Sequence, residues 1–331
     1  MNPPRENSAG AAPTDGPLPP WCRPAWNLLA ARAAQGTLPH ALLVCGPAGL
    51  GKRGLVDAFA RACLCETPAD GRACGDCRGC RLLAAGTHPD YVRVALEINS
   101  KTGNARQEIV VDQIRALSER LAMASQLGGR QVAVIDPAEA MNAAAQNALL
   151  KTLEEPTAAS LIVLVSDRPW RLVATIRSRC QRLDVALPPR ADALQWLAAE
   201  APGGAEAALT AAGGNPGEAL RLLQEGGMQR RHAVAVDLAA LATGRGDARA
   251  ISKAWAADEP LQRLEFAARL LADALRARAQ RMPAAFDPGW SDTALVAQFD
   301  AADRLRVLLD GPLRTDLALF GWLAGLPGGG S

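Results

Sequence analysis

The sequence predicts an α/β fold built on a parallel sheet, followed by a region that is helical throughout. Three observations carry this reading. Short runs that are apolar along their whole length recur at 40–46, 130–136 and 161–166 and alternate with segments of helical periodicity, the pattern of strands covered on both faces. A glycine-rich turn joins the first of these runs to a helix. The alternation stops at LPPR (187–190), beyond which every periodic segment is helical.

Taken in order, residues 1–20 are rich in Pro, Gly and Ala, lack an apolar signal core, and are expected to be a disordered tail. Residues 21–40 predict a short helical segment anchored by Trp21, Trp26, Leu28 and Leu29. HALLVCG (40–46) is a strand, and from Lys52 to Leu64 the apolar residues Leu55, Val56, Phe59 and Cys63 recur at helical spacing. A cysteine-rich segment (65–80) precedes a short strand at 91–95. Residues 109–124 form an amphipathic helix with Val111, Ile114, Leu117 and Leu121 on one face. RQVAVID (130–136) is a strand, 142–155 a helix stopped by Pro156, LIVLVS (161–166) a strand, 169–178 a short helix, and 179–186 a last strand. Beyond the boundary, helices are expected at 191–200, 204–211 and 216–225 and in a block over 230–324. The best of that block starts at Asp258-Glu259-Pro260, with Asp258 as N-cap and Leu261, Leu264, Leu270, Leu271, Ala274 and Leu275 as its apolar face. The closing PGGGS is expected to be flexible.

The bulk composition bounds the function. The chain has 331 residues, 49% of them hydrophobic and 21% charged, as in soluble domains with proper cores. With 36 basic and 34 acidic residues the formal charge is +2, which argues against a polybasic coat that grips nucleic acid unaided. No run approaches the ~18 apolar residues of a membrane span. A cytoplasmic location is therefore expected, where eight cysteines are reduced or metal-bound rather than paired in disulfides.

Gly46-Pro47-Ala48-Gly49-Leu50-Gly51-Lys52 fits the G-x-x-x-x-G-K part of a P-loop. Glycines such as Gly46, Gly49 and Gly51 let backbone N–H groups turn inward around phosphates, while Lys52 reaches the β and γ oxygens. Such a loop ends in Ser or Thr, whose hydroxyl ligates Mg²⁺; position 53 is Arg53, which carries donors only. Asp136, at the end of the 130–136 strand, is placed either to hold Mg²⁺ through water or to cap the helix that follows. Many ATPases of this type follow that aspartate with a water-polarising Glu; here Pro137 follows, and Glu139 lies two positions further, aimed elsewhere.

Cys65, Cys74, Cys77 and Cys80 form C-x8-C-x2-C-x2-C; a C-x2-C turn aims two sulfurs at one point, and four such thiolates suit tetrahedral Zn²⁺, the other reading being unrelated thiols or a redox pair. With no open position the zinc would be structural. Cys22, Cys45, Cys63 and Cys180 read as scattered core or surface residues.

These motifs, together with AGTHPDY (85–91), NALLKTLEEP (147–156) and SRC (178–180), occur in this order in bacterial clamp-loader subunits, and over about residues 25–225 the chain resembles that AAA+ family. Arg53, Pro137 and Gly217, the last where active relatives carry a sensor arginine, match the family's non-hydrolysing delta-prime members. The resemblance implies a RecA-like AAA+ core over 21–186 with a zinc-binding insert (65–80), a small helical lid over 187–229, a C-terminal all-α collar domain over 230–325 that holds the loader ring together, and a flexible end over 326–331. It implies a stator in the DNA polymerase III holoenzyme, a DNA-directed DNA polymerase. The partners would be the gamma/tau ATPase subunits and the delta subunit, and through them the sliding β clamp and primer-template DNA. Gly46, Gly49, Gly51, Lys52 and Asp136 would be relicts of an ATP site. By position alone Arg179 reads as a surface charge or the partner of an internal carboxylate; the resemblance implies that it projects into a neighbour's ATP site. Two other readings stay open at this stage: an active ATPase of the gamma/tau type, and a zinc-dependent nucleic-acid-binding module.

Overall fold

The computed structural model describes residues 17–98, 106–284, 286–309 and 313–328. The chain divides into two compact units, 1–192 and 193–331. Of the tail expected over 1–20, residues 1–16 lie outside the described residues. Pro20 opens a 3-10 turn (Pro20–Cys22) that leads into helix α1 (Arg23–Ala34). Of the flexible end expected over 326–331, residues 329–331 likewise lie outside.

Among the described residues five strands form the sheet of the first unit: β1 (Ala41–Cys45), β2 (Tyr91–Val94), β3 (Gln131–Ile135), β4 (Ser160–Ser166) and β5 (Gln181–Asp184). Their order is β2-β3-β4-β1-β5 and every pairing is parallel. Side chains alternate between faces, so each central strand feeds two cores. Leu42, Val44, Val132, Val134, Leu161, Val163 and Val165 pack with α1 and with α2 (Lys52–Leu64). Ala41, Leu43, Ala133, Ile135, Ile162 and Leu164 pack with α4 (Val111–Ala122), α5 (Ala143–Glu154) and α6 (Ala174–Arg179). This double burial is why the strands read as unbroken apolar runs. A further helix, α3 (Arg78–Ala84), starts inside the cysteine segment, for which the sequence predicts no helix. The helix expected over 169–178 is two pieces, a 3-10 turn (Pro169–Arg171) and α6, whose last residue is Arg179.

Because the strands are parallel, their C-terminal ends lie along one edge. Register places Cys45 beside Ser166 and Asp184, and Ile135 beside Leu164 and Val94. The glycine-rich turn after β1, Asp136 after β3 and Asp167 after β4 therefore gather at the edge where parallel α/β sheets place ligands.

The second unit holds α7 (Arg190–Glu200, whose first turn the division leaves in the first unit), α8 (Ala205–Ala211), α9 (Pro216–Gln224), α10 (Gly227–Ala242), α11 (Ala248–Ala257), α12 (Pro260–Ala279), α13 (Asp292–Leu308) and α14 (Thr315–Ala324). One apolar cluster runs through it from Ala193 to Leu326. Trp255 is fully buried at its centre, donates its indole N–H to Asp237 at 2.8 Å, and lies 6.3 Å from Trp322. The start of α12 corrects the sequence reading. Glu259, with φ 47°, is the N-cap, and Asp258 ends α11. Pro260 bars the preceding residue from helical geometry, so the boundary falls one residue later than expected. The Asp258 carboxylate pairs with Arg263 at 2.6 Å instead of capping. Leu261, in the first turn, is 39% exposed; Gln262, Phe266 and Ala267 join Leu264, Leu270, Leu271 and Ala274 on the buried face.

Candidate functional site

The turn after β1 folds as a phosphate-binding loop would. Gly46, Gly49 and Gly51 all have positive φ. A Cβ at Gly46 would stand 2.2 Å from the Val185 carbonyl oxygen, and one at Gly51 would stand 2.9 Å from Pro19. The segment before α1 is laid over the loop: the Trp21 indole N–H donates to the Leu50 carbonyl at 2.9 Å, and the Cys22 thiol lies 3.3 Å from the same oxygen.

The charged groups of this edge form one alternating chain. The Lys52 ammonium is buried, donates to the Pro47 carbonyl at 2.6 Å and pairs with Asp167 at 2.6 Å. Arg53 places a second cation 3.5 Å from Asp167 and donates its Nε–H to both oxygens of Asp136, at 3.0 and 2.9 Å. Asp136, 5% exposed, also accepts from Arg93 of β2 at 2.9 Å. Arg93 in turn pairs with buried Asp57 of α2 at 2.7 Å. Burial works against the Arg93 guanidinium, yet Asp57, Tyr91 and Asp136 hold its pKa above the ordinary arginine value. Arg53 is raised likewise by the charge and hydrogen bonds of Asp136, with burial opposing. The same burial pushes the Tyr91 hydroxyl up to about 12.

Asp136 thus neither caps a helix nor stands free for a metal. The 3-10 turn that follows it (Ala138–Ala140) takes no side-chain cap, and Asn142 caps α5. A divalent cation at Asp136 would have to displace two guanidinium groups, each already charged and hydrogen-bonded. Glu139 is turned away, its carboxylate accepting from the Asp167 backbone N–H at 3.0 Å. Sequence reasoning gave Lys52, Arg53 and Asp136 but missed Arg93, Asp57 and Asp167. Arg93 carried a signal, a lone charge inside the apolar run YVRVA; Asp167 follows its strand as Asp136 follows β3.

The four cysteines come together. Their sulfurs all lie within 4.8 Å of one another, with Cys65–Cys77 at 3.9 Å and Cys74–Cys80 at 4.0 Å. Those separations are far beyond a disulfide bond of about 2.05 Å. Backbone N–H groups support the sulfurs: Cys74 donates to Cys65 at 3.3 Å, Cys77 to Cys74 and Cys80 to Cys77 at 3.4 Å each. The Thr67 hydroxyl and the Cys77 and Asp76 amides draw the Cys74 thiol down to about 6, while burial pushes Cys80 up to about 12. Four adjacent thiols cannot all ionise unless a cation shares their charge, and as a donor set they can hold one metal ion. Cys63, pushed up to about 12 by burial, is not among them.

Arg179 ends α6 with its side chain partly exposed. One amino group pairs with Glu154, the last residue of α5, at 2.6 Å, and the other donates to the Thr175 carbonyl at 3.0 Å.

Removing Arg93 leaves two buried carboxylates short of a partner. Arg93→Met is expected to destabilise the first unit by about 3–5 kcal/mol, the cost of breaking a buried ion pair, and Arg53→Met, at the solvent side of the chain, by less. Urea titration of the purified protein measures both; equal and small losses would show that the arginine pair is not what neutralises Asp136.

Several known proteins resemble this chain over most of its length. The family model described as DNA polymerase III, delta subunit, matches residues 22–188. The DNA polymerase III subunit delta' of Pseudomonas aeruginosa is 41% identical over 240 residues, 71% of this chain and 70% of that protein. Its counterpart in Escherichia coli K12 is 39% identical over 260 residues, 78% of this chain and 76% of the other. A crystal structure of a DNA polymerase III gamma subunit-related protein from Thermotoga maritima aligns at 17% identity with a TM-score of 0.44, over 91% of this chain and 98% of that one. With that length of shared sequence, the chain belongs to the DNA polymerase III delta-prime subunit family.

Proposed function

We propose that this chain is a non-hydrolysing clamp-loader subunit that lends Arg179 to the ATP site of a neighbouring ATPase subunit while its own nucleotide loop serves as structure. The observation that carries the reading is the Arg53–Asp136–Arg93 arrangement. In an active site of this kind Asp136 and a hydroxyl at position 53 would share Mg²⁺. Here two chain-borne guanidinium groups occupy that carboxylate, Lys52 is engaged by Asp167, and Pro137 stands where a water-orienting Glu would be. The partners on this reading are gamma/tau ATPase subunits and a delta subunit, with the β clamp and primer-template DNA reached through them. The helices over 187–229 act as the lid and those over 230–325 as the collar. The assembly works in the cytoplasm, and no helix among the described residues is long and apolar enough to cross a membrane.

The ion in the cysteine cluster is zinc on this reading. Tetrahedral zinc with bonds of about 2.3 Å sets its sulfurs ~3.8 Å apart, close to the 3.9 and 4.0 Å found. Four thiolates leave no open position, so the ion holds the segment together and does no chemistry.

A guanidinium given in trans stabilises the charge that develops on a departing phosphoryl group. Arg179 has the exposure this needs, and its pairing uses two of its five N–H donors.

Three outcomes are expected. The isolated chain shows no Mg²⁺-dependent ATP turnover above background; steady turnover that vanishes in Lys52→Ala would overturn the relict reading. Metal analysis finds one zinc per chain, and Cys77→Ser lowers that content and exposes 65–84 to proteolysis while 193–331 resists; zinc-free protein with four freely titrating thiols would refute the assignment. In a reconstituted loader, Arg179→Ala assembles normally yet slows DNA-stimulated ATP turnover and clamp loading. The loss stays below the ~10³–10⁵ of a complete finger deletion, because other ATP sites keep theirs. Arg179→Lys rescues poorly, lacking the planar fork. Wild-type loading by the alanine complex would reduce Arg179 to a surface charge.

A further inference from the structure

Helix α6 is only six residues long, too short to hold its own shape in water. Its position is set by α5, against which it packs. At its start, the Val173 backbone N–H donates to the Gln146 side chain of α5 at 2.8 Å, and Gln146 is itself buried and tied to the Met141 carbonyl at 3.0 Å. At its centre, Ile176 is fully buried. At its end, Arg179 meets Glu154 at 2.6 Å. So α5 brackets α6 at both ends, through Gln146 near its own start and Glu154 at its own last residue.

Glu154 stands in an unfavourable place for a carboxylate. The last turn of a helix carries partial negative charge from its unpaired carbonyls, which a nearby cation relieves. Within that turn the guanidinium of Arg179 supplies such a cation to Glu154. The Thr175 carbonyl takes a second donor, so two contacts fix the plane of the guanidinium and, among the described residues, leave its other N–H groups uncommitted.

We propose that Glu154 is a positioning residue for Arg179: the α5–α6 bracket holds the guanidinium oriented for the neighbouring phosphate before the subunits meet. This rests on the reading that Arg179 acts in trans. Holding the group in place ahead of the reaction lowers the ordering that must occur on the way to the transition state. It touches kcat rather than ATP affinity, because a contact made tighter in the transition state than in bound ATP lowers the barrier without tightening substrate binding.

The test uses loader reconstituted with its partner subunits and four forms of this chain: wild type, Glu154→Gln, Arg179→Ala and the double variant. Both side chains are at the surface, so folding is preserved. Glu154→Gln is expected to lower kcat for DNA-stimulated ATP turnover by about two- to five-fold, the worth of one half-exposed ion pair, with KM for ATP unchanged. The double variant should be no slower than Arg179→Ala alone, which a merely structural role for Glu154 would not produce. Glu154→Asp should recover part of the loss. Wild-type turnover in Glu154→Gln beside a slow Arg179→Ala overturns the positioning role and spares the trans reading. Faster turnover in Glu154→Gln also overturns it, making the ion pair a competitor. Additive losses in the double variant overturn it as well. A normal Arg179→Ala loader removes the trans reading, and the proposal with it.

Discussion

Asp136 closes strand β3 with its carboxylate almost wholly out of water, at the carboxyl edge of the sheet. A bare charge there would cost several kcal/mol, and the surrounding structure is arranged around that cost. Arg53 reaches it from the first turn of α2 and Arg93 from β2; Asp57 and Asp167 then neutralise those arginines, and Lys52 completes the series. Three cations and three carboxylates alternate across α2, β2 and the ends of β3 and β4. The interaction therefore ties an edge strand, a covering helix and two central strands into one body. It also explains why the loop keeps its shape, since each charge that nucleotide and metal would otherwise meet already has a partner.

The same unit holds a second polar cluster with the opposite logic. Around the glycine-rich loop, cations built into the chain satisfy every carboxylate of the series. Around Cys65, Cys74, Cys77 and Cys80, the chain offers only donors of negative charge, set at spacings that a metal ion fits and a disulfide does not. The nearby apolar core ends at Leu64 and resumes at Leu83, so the residues between have little else to order them. One region pairs its charges within the chain and the other has a donor set that can hold a metal ion.

Most of the sheet was legible because its strands are buried on both faces. Val132–Ile135 and Leu161–Val165 have no polar side to disguise them, and the turn after β1 carries its own glycine code. The cysteine cluster was legible from spacing alone. What stayed hidden was whatever depends on approach across the chain. Arg93 lies 43 residues from Asp136 and 36 from Asp57, and nothing local says that it joins them. Arg179 was visible as a motif, but its pairing with Glu154 arises only once α5 and α6 lie side by side. The start of α12 failed for a local reason: aspartate is a good cap in general, and the proline moved the boundary past its reach. Leu261 showed the limit of periodicity, which identifies a stripe but not where the core stops covering it.

Gly46 shows how sterics alone can hold a motif residue in place. Its Cα faces the Val185 carbonyl so closely that the smallest side chain would drive the strand end and the loop apart. That crowding owes nothing to phosphate. Selection against substitution at this position would persist for steric reasons after every catalytic requirement had lapsed. A pattern search that scores the glycines would go on reporting a nucleotide site, whereas position 53 and the residue after Asp136 respond to the chemistry itself. Diverging copies of such a loop should accordingly lose their function in the side chains first and in the glycines last.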